Sequence, residues 1–227
     1  MDNSQTQHTN KQYEEELRDL RADLVKMGGL VERQIADAVD SLVNRDSNQA
    51  REIIGRDVEV NRLDVQIDDH CIRLLALHQP AASDLRFITT GLKITTDLER
   101  IGDNAVNVCE RAIELNDEPI LKPYIDIPRM AQIAQEMLKA SIDAFVGGDV
   151  DLAQSVIERD DEVDQLNYQI YRELLSYMAE DPTSIGRATR ILFVSKYLER
   201  IADHATNIAE MVVYMVQGRN VRHQVKQ

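Results

Sequence analysis

The sequence predicts an all-α protein built from two tandem three-helix bundles related by an internal repeat. Three observations carry this prediction. Apolar residues recur every three or four positions over long stretches, the period of a helix, and nothing alternates as a strand would. Glycine and proline, 9 and 5 in 227 residues, fall mostly at a few points of punctuation. The second half also matches the first without a gap through two helices, at an offset of 103 residues that carries Met27, Asp46, Arg56, Asp57, Leu63 and Ile67 onto Met130, Asp149, Arg159, Asp160, Leu166 and Ile170.

The breaks fall at Asp46-Ser47, Gln79-Pro80, the Pro119/Pro123/Pro128 segment, Gly147-Gly148-Asp149 and Glu180-Asp181-Pro182, where capping acids, prolines and glycines end or begin helices. They delimit six helices over 12–44, 47–78, 82–115, 127–146, 149–179 and 183–217. In the third helix of each half the offset falls to 100, placing Leu98-Glu99-Arg100-Ile101 on Leu198-Glu199-Arg200-Ile201; three residues are lost near Pro80, in a loop that tolerates the change. Short connections make sequential helices antiparallel neighbours, so each half reads as an up-down-up bundle. The organisation is then a disordered polar tail over 1–11, a first repeat over 12–116, a linker over 117–127, a second repeat over 128–218 and a basic tail over 219–227.

The charge balance excludes several classes. With 26 Lys and Arg against 40 Asp and Glu, the net charge of −14 repels a phosphate backbone, so nucleic acid is not an expected partner. No apolar run approaches the roughly 18 to 20 residues of a membrane span, and the N-terminus lacks the apolar core of a signal peptide, so the chain reads as cytoplasmic. Cys71 and Cys109 lie inside apolar helical patterns and read as core filler. The methionines, Met27, Met130, Met137, Met178, Met211 and Met215 among them, read as core as well. Gly28-Gly29 reads as a helix irregularity and Gly147-Gly148 as a helix end, while Tyr168, Tyr171 and Tyr177 are expected to pack against the fourth helix.

The informative residues are acids set into apolar seams. Leu85, Leu92, Glu99, Val106 and Ile113 are spaced seven apart, as are Ile185, Leu192, Glu199, Thr206 and Val213, so a glutamate occupies a heptad step whose other members are mostly apolar. One turn on from each lies Asp103 or Asp203. The second helices do the same, with Asp57, Asn61 and Asp64 in the first half and Asp160, Asp164 and Asn167 in the second. Antiparallel packing brings Asp57 and Asn61 towards Glu99 and Asp103, and Asp160 and Asp164 towards Glu199 and Asp203.

Carboxylates beside a packed seam lose hydration worth several kcal/mol, on the order of what a cationic partner must restore. Two partners fit: arginines such as Arg56, Arg100, Arg159 and Arg200, each better placed to pair with another helix, or a hard metal cation shared by oxygen ligands at i and i+4. The Glu-x-x-His pattern of di-iron bundles is absent, since Gly102 and Ala202 stand at i+3, and neither a phosphate-binding glycine loop nor a nucleophile context is present. A metal cluster with redox or hydrolytic activity and a metal-free structural bundle stand as alternatives.

The segments Leu98-Glu99-Arg100-Ile101-Gly102-Asp103-Asn104-Ala105-Val106-Asn107 and Leu198-Glu199-Arg200-Ile201-Ala202-Asp203-His204-Ala205-Thr206-Asn207 closely resemble the paired E-x-x-x-D signature of the PhoU family of phosphate-signalling proteins. Arg56-Asp57, Arg159-Asp160 and Asp84-Leu85-Arg86 fit the same pattern, and the resemblance spans about residues 13–217. It implies a cytoplasmic, non-enzymatic, usually dimeric helical regulator that represses the phosphate-starvation response. Its implied partners are the ATPase subunit of the phosphate transporter and a sensor histidine kinase, and it reaches the membrane only through them. By position, Glu99, Asp103, Asp57 and Asn61 in the first half and Glu199, Asp203, Asp160 and Asp164 in the second become candidate ligands for iron or for Mg, Mn, Zn or Ca. Asn61 stands where the second half has Asp164, so the first site is expected to be the weaker, because an amide is a neutral ligand.

Overall fold

The computed structural model describes residues 3–219, with side chains from residue 11 onward. The described residues form α1 (Asn3–Val43), α2 (Ser47–Arg56), α3 (Val58–His78), α4 (Ala82–Asn116), α5 (Asp126–Gly147), α6 (Val150–Glu180), a 3-10 turn (Pro182–Ser184) and α7 (Ile185–Gln217), with no strand among them. None of these helices is long and apolar enough to cross a membrane.

The repeat is visible in the caps. Asp46 accepts from the backbone N–H of Asn48 and Gln49, each at 3.0 Å, and its counterpart Asp149 accepts from Leu152 N–H at 3.0 Å, so orphan donors at two equivalent helix starts are satisfied alike. Gly148, at φ 63°, closes α5 in the left-handed conformation that glycine adopts without strain.

Two departures from the sequence pattern have local causes. The first helix begins at Asn3, so the segment expected as a disordered tail over 1–11 is helical in its backbone from Asn3; extending an existing helix gains a hydrogen bond per residue fixed, which polar residues accept readily. The basic tail expected over 219–227 lies, from residue 220, outside the described residues. The helix expected over 47–78 is divided at Asp57, whose N–H bonds to Ile54 O at 3.4 Å rather than one residue further back. Gly55 stands there where the unbroken α6 has Glu158, and Gln34 Nε2 donates to Asp57 Oδ1 at 2.9 Å, holding the side chain against α1.

Packing joins the two repeats into one body. The first unit is α1, α2/α3 and α4; the second is α5, α6 and α7. They meet through α1 on α5 and α4 on α7, so these four helices form a closed ring, with α2/α3 outside one edge and α6 outside the opposite edge. Phe87 of α4 stacks on Phe145 of α5 across the ring at 5.2 Å between centroids. Gly28 is no irregularity: α1 runs through it unbroken, and a Cβ there would sit 3.1 Å from Ile142 of α5, so the missing side chain lets the two helices close. The buried residues form one continuous apolar cluster from Leu20 to Val213. It includes Met27, Met130, Met137 and Met211 as well as both free cysteines, whose thiols burial pushes up to about 12.

The segment between repeats is tied down. Arg45, itself at φ 57°, donates to Asn116 O at 2.7 Å and Glu118 O at 2.6 Å, while Arg190 of α7 reaches Glu114 at 2.8 Å and Glu118 at 2.9 Å. Lys122, buried, pairs with Glu173 of α6. Because the core is shared, Leu98→Ala and Leu198→Ala, one in each repeat, should each cost about 2–5 kcal/mol and lower the midpoint of one common transition. Urea titration followed by circular dichroism checks this; separate transitions for the two halves would contradict it.

Candidate metal and docking site

Each unit sets its acids on a ledge where the second helix runs beside the third. In the first unit, Asp57 stands at the break between α2 and α3; its Oδ1 accepts from Gln34 Nε2 and its Oδ2 from Asn61 Nδ2, both at 2.9 Å. Gly102 of α4 faces this carboxylate, and a Cβ there would lie 3.3 Å from Asp57 Oδ1. Glu99 and Asp103 lie one turn apart on α4 and share Arg100, whose Nε is 3.5 Å from Glu99 Oε2 and whose NH1 is 3.5 Å from Asp103 Oδ2. Arg100 therefore pairs within its own helix, contrary to the expectation of a partner elsewhere. Arg56 and Arg159 do reach another helix, to Asp37 at 3.0 Å and Glu136 at 2.8 Å.

The electrostatics place the acids within one another's field. Burial pushes the Glu99 carboxyl above its ordinary value and Asp103 adds to the rise; Arg100 opposes it, and Asp64 and Asp57 raise it further. The Asp64 carboxyl is likewise raised, by burial and by Asp68. Asp64 is the residue that pattern reading left out of the candidate set. It restores the count of acids: the first unit has Asp57, Asn61 and Asp64 where the second has Asp160, Asp164 and Asn167, so the amide and one carboxylate have changed places. Asn61 thus does not leave the first ledge short of charge.

In the second unit, Glu199 Oε2 is buried and pairs with the Lys196 ammonium one turn back. The Asp203 carboxyl reaches solvent yet is raised, first by lost hydration, then by Glu199 and Asp164, with Lys196 and His204 opposing. Asp160 Oδ1 accepts from Thr206 Oγ1 at 3.3 Å. Asn167 accepts from Ser195 Oγ at 2.9 Å and, with Asp164, Tyr168, Tyr171, Lys196 and Glu199, lines a cleft of about 410 Å³. Tyr168 and Tyr171 are exposed and stack on each other at 6.5 Å, rather than packing on the fourth helix as expected.

Between the two ledges, α4 and α7 are joined by a contact that no repeat match could reveal: His204 Nδ1 lies 2.7 Å from Asp97 Oδ1, which Asn207 Nδ2 also reaches at 3.4 Å. The donor chemistry of both ledges is carboxylate and amide oxygen, which fits a hard cation, although Glu199 Oε2 already faces the Lys196 ammonium. The side chains are nonetheless open ledges and no closed chelate: among the described residues no group of three or more His, Cys, Asp or Glu is gathered so as to hold a metal ion.

The raised Glu99 carboxyl has a pH consequence with a definite sign. A folded-state value above the unfolded one, near 4.5, means that the folded protein holds the proton more tightly, so stability falls as pH rises through that window and the charged form is a liability above it. Glu99→Gln should therefore raise the urea midpoint at about pH 7 and lose that advantage at about pH 4, where both states are protonated. An equal effect at both pH values would show that the substitution acts through packing instead.

A family profile described as the PhoU domain matches residues 24–112 and 127–212, one match per repeat. The phosphate-specific transport system accessory protein PhoU homolog of Pseudomonas aeruginosa is 45% identical over 221 residues, covering 97% of this chain and 91% of that one. The homolog of Aquifex aeolicus is 45% identical over 209 residues, covering 92% and 95%, and PhoU of Escherichia coli is 37% identical over 216 residues, covering 95% and 90%. Among solved structures, PhoU from Pseudomonas aeruginosa superposes with a TM-score of 0.88 at 44% identity, covering 91% of this chain and all of that one. The phosphate transport system regulatory protein PhoU from Streptococcus pneumoniae does so with 0.86 at 30%, covering 92% and 99%. With both repeats matched and nearly the whole length shared at this identity, the chain belongs to the PhoU family.

Proposed function

We propose that this protein is a non-enzymatic accessory protein of a phosphate transport system. In this reading it is an adaptor, a cytoplasmic homodimer that joins the transporter's ATPase subunit to a sensor histidine kinase and restrains uptake and the starvation response. The names of its relatives, accessory and regulatory proteins of phosphate transport, support the first part. One observation carries the second: two equivalent ledges of carboxylates, where lost hydration and then mutual repulsion raise Glu99 and Asp203, an arrangement that gains from a positively charged partner. In a chain of net charge −14 the long-range field favours approach by basic surfaces and is screened by salt.

The same ledges are proposed as metal sites. Glu99, Asp103, Asp57 and Asn61, joined by Asp64, would hold one hard cation, and Glu199, Asp203, Asp160 and Asp164 the other, with iron, Mg, Mn, Zn and Ca as the class. A bound cation would supply positive charge where the carboxylates repel one another, and the side chains must turn inward to receive it.

Two measurements test these readings separately. Pull-down of the ATPase subunit and the kinase should retain both at low salt and lose them as salt rises, with Glu99→Ala/Glu199→Ala weakening retention; failure to retain either at low salt would sink the adaptor. Elemental analysis of protein purified without chelator should find stoichiometric metal in the wild type and much less in the same double variant. Trace metal in the wild type would remove the metal proposal and leave the adaptor standing.

A further inference from the structure

The internal repeat supplies its own control for a surface that the acidic ledges do not use. On the outer side of each unit, the second helix forms a groove against the helix or segment that precedes it. In the first unit it runs between α1 and α3, holds about 920 Å³, and is lined by Asp19, Ala22, Asp23, Arg62, Val65 and His70, with Arg73 at its end. In the second it is lined by Gln165, Tyr168, Gln169, Arg172 and Glu173 and holds about 450 Å³. The two are equivalent residue by residue: Gln66 donates to Asp23 at 3.4 Å in one, and Gln169 to Asp126 at 3.4 Å in the other.

The two grooves differ in the charges that flank them. In the second unit buried Lys122 pairs with half-exposed Glu173, and at the same repeat positions the first has Asp19 and His70. His70 Nε2 is shut off from solvent and has no hydrogen-bond partner among the described residues. Arg62 and Arg73, where the second groove has the neutral Gln165 and Ser176, form no ion pair among the described residues, although the chain carries a large excess of acids. Val65 on the groove is 60% exposed and belongs to a row with Val58 and Ile72, seven residues apart on α3 and exposed as well.

Spacing decides what such a groove can take. Arg62 and Arg73 are separated by three helical turns, about 16 Å along the axis, too far for both to hold a single oxyanion. Exposed apolar residues at heptad intervals are a seam that a second helix completes. The α3 wall carries Arg62, His70 and Arg73 with Asp69 between them, and the α1 wall carries Asp19 and Asp23.

We propose that the α1/α3 groove of the first repeat docks an amphipathic helix of a partner protein, its apolar seam on Ala22 and Val65 and carboxylates along one flank meeting Arg62 and Arg73. The second repeat, whose smaller groove has Gln165 and Ser176 in place of the two arginines, has no such site. This surface is distinct from the ledges at Glu99 and Glu199 and does not depend on their role.

A synthetic helical peptide of about three heptads, with Leu at its seam, Glu along one flank and Gln along the other, tests the proposal by fluorescence anisotropy against the full chain. The peptide should bind the wild type, bind R62E/R73E about tenfold or more weakly, and bind V65D weakly as well. A peptide with Lys in place of Glu should recover binding to R62E/R73E, and Q165E/S176E should bind the original as the wild type does. Melting curves of the variants should match the wild type, because both arginines reach solvent without partners. Equal binding to wild type and R62E/R73E, or equal loss in Q165E/S176E, would overturn the proposal. So would displacement of the peptide by inorganic phosphate at constant ionic strength, or conversion of an oligomer to a monomer by R62E/R73E in light scattering, since the occupant would then be a free oxyanion or a second copy of this chain.

Discussion

Everything in this molecule has to accommodate one conflict on α4 and α7, each of which must bury an apolar face along its whole length and yet place a carboxylate at a heptad step beside that face. Burial alone would exclude Glu99 and Glu199; solvent alone would leave no reason for their register with Leu92 and Leu192. The fold meets both demands by making the two helices adjacent members of the four-helix ring, each also covered by the second helix of its own unit, so that apolar contact is supplied on several sides at once. A small three-helix bundle would have little surplus to set against charged oxygens at its rim, because core size grows steeply with chain length in this range. Fusing two repeats around one core supplies that surplus, and the raised Glu99 carboxyl shows that the rim opposes it.

Much of this was legible in the residues because the signals are periodic. Helix identity, the repeat, the capping acids Asp46 and Asp149 and the seam positions of Glu99 and Glu199 follow from spacings of three, four and seven, which a chain cannot disguise. What escaped was set by contacts between elements. The interruption at Asp57 depends on Gln34, 23 residues away on another helix. The part played by Asp64 depends on which turn of α3 faces Glu99, a matter of helix rotation that heptad arithmetic leaves undetermined to within one turn. Gly28 looked like a flaw because its neighbour Ile142 lies in the other repeat. Arg100, expected to reach across, folds back on its own helix because Glu99 and Asp103 present two acceptors within its reach.

The two halves have also diverged in a way that duplication makes readable. Positions that pack inward have kept their chemistry, as Met27 and Met130 or Leu98 and Leu198 have, whereas outward positions have traded charge: Asp19 for Lys122, His70 for Glu173, Asp69 for Arg172. Packing constrains volume on the inner faces, and solvent leaves the outer ones free to specialise. One half thereby acquired an internal ion pair that fastens the connecting segment, while the other kept a groove with unanswered cations.

The antiparallel contact of α4 on α7, pinned at mid-length by Asp97 and His204, has a bearing on how the two ledges behave as a pair. Each ledge takes its glutamate and aspartate from one of these two helices, and the helices share a single interface. A ligand that rotates or slides α4 to improve its own contacts must repack that interface, and so shifts the register presented by α7. Were both proposed sites to fill, whatever coupling this interface carries between them would by reciprocity run equally both ways.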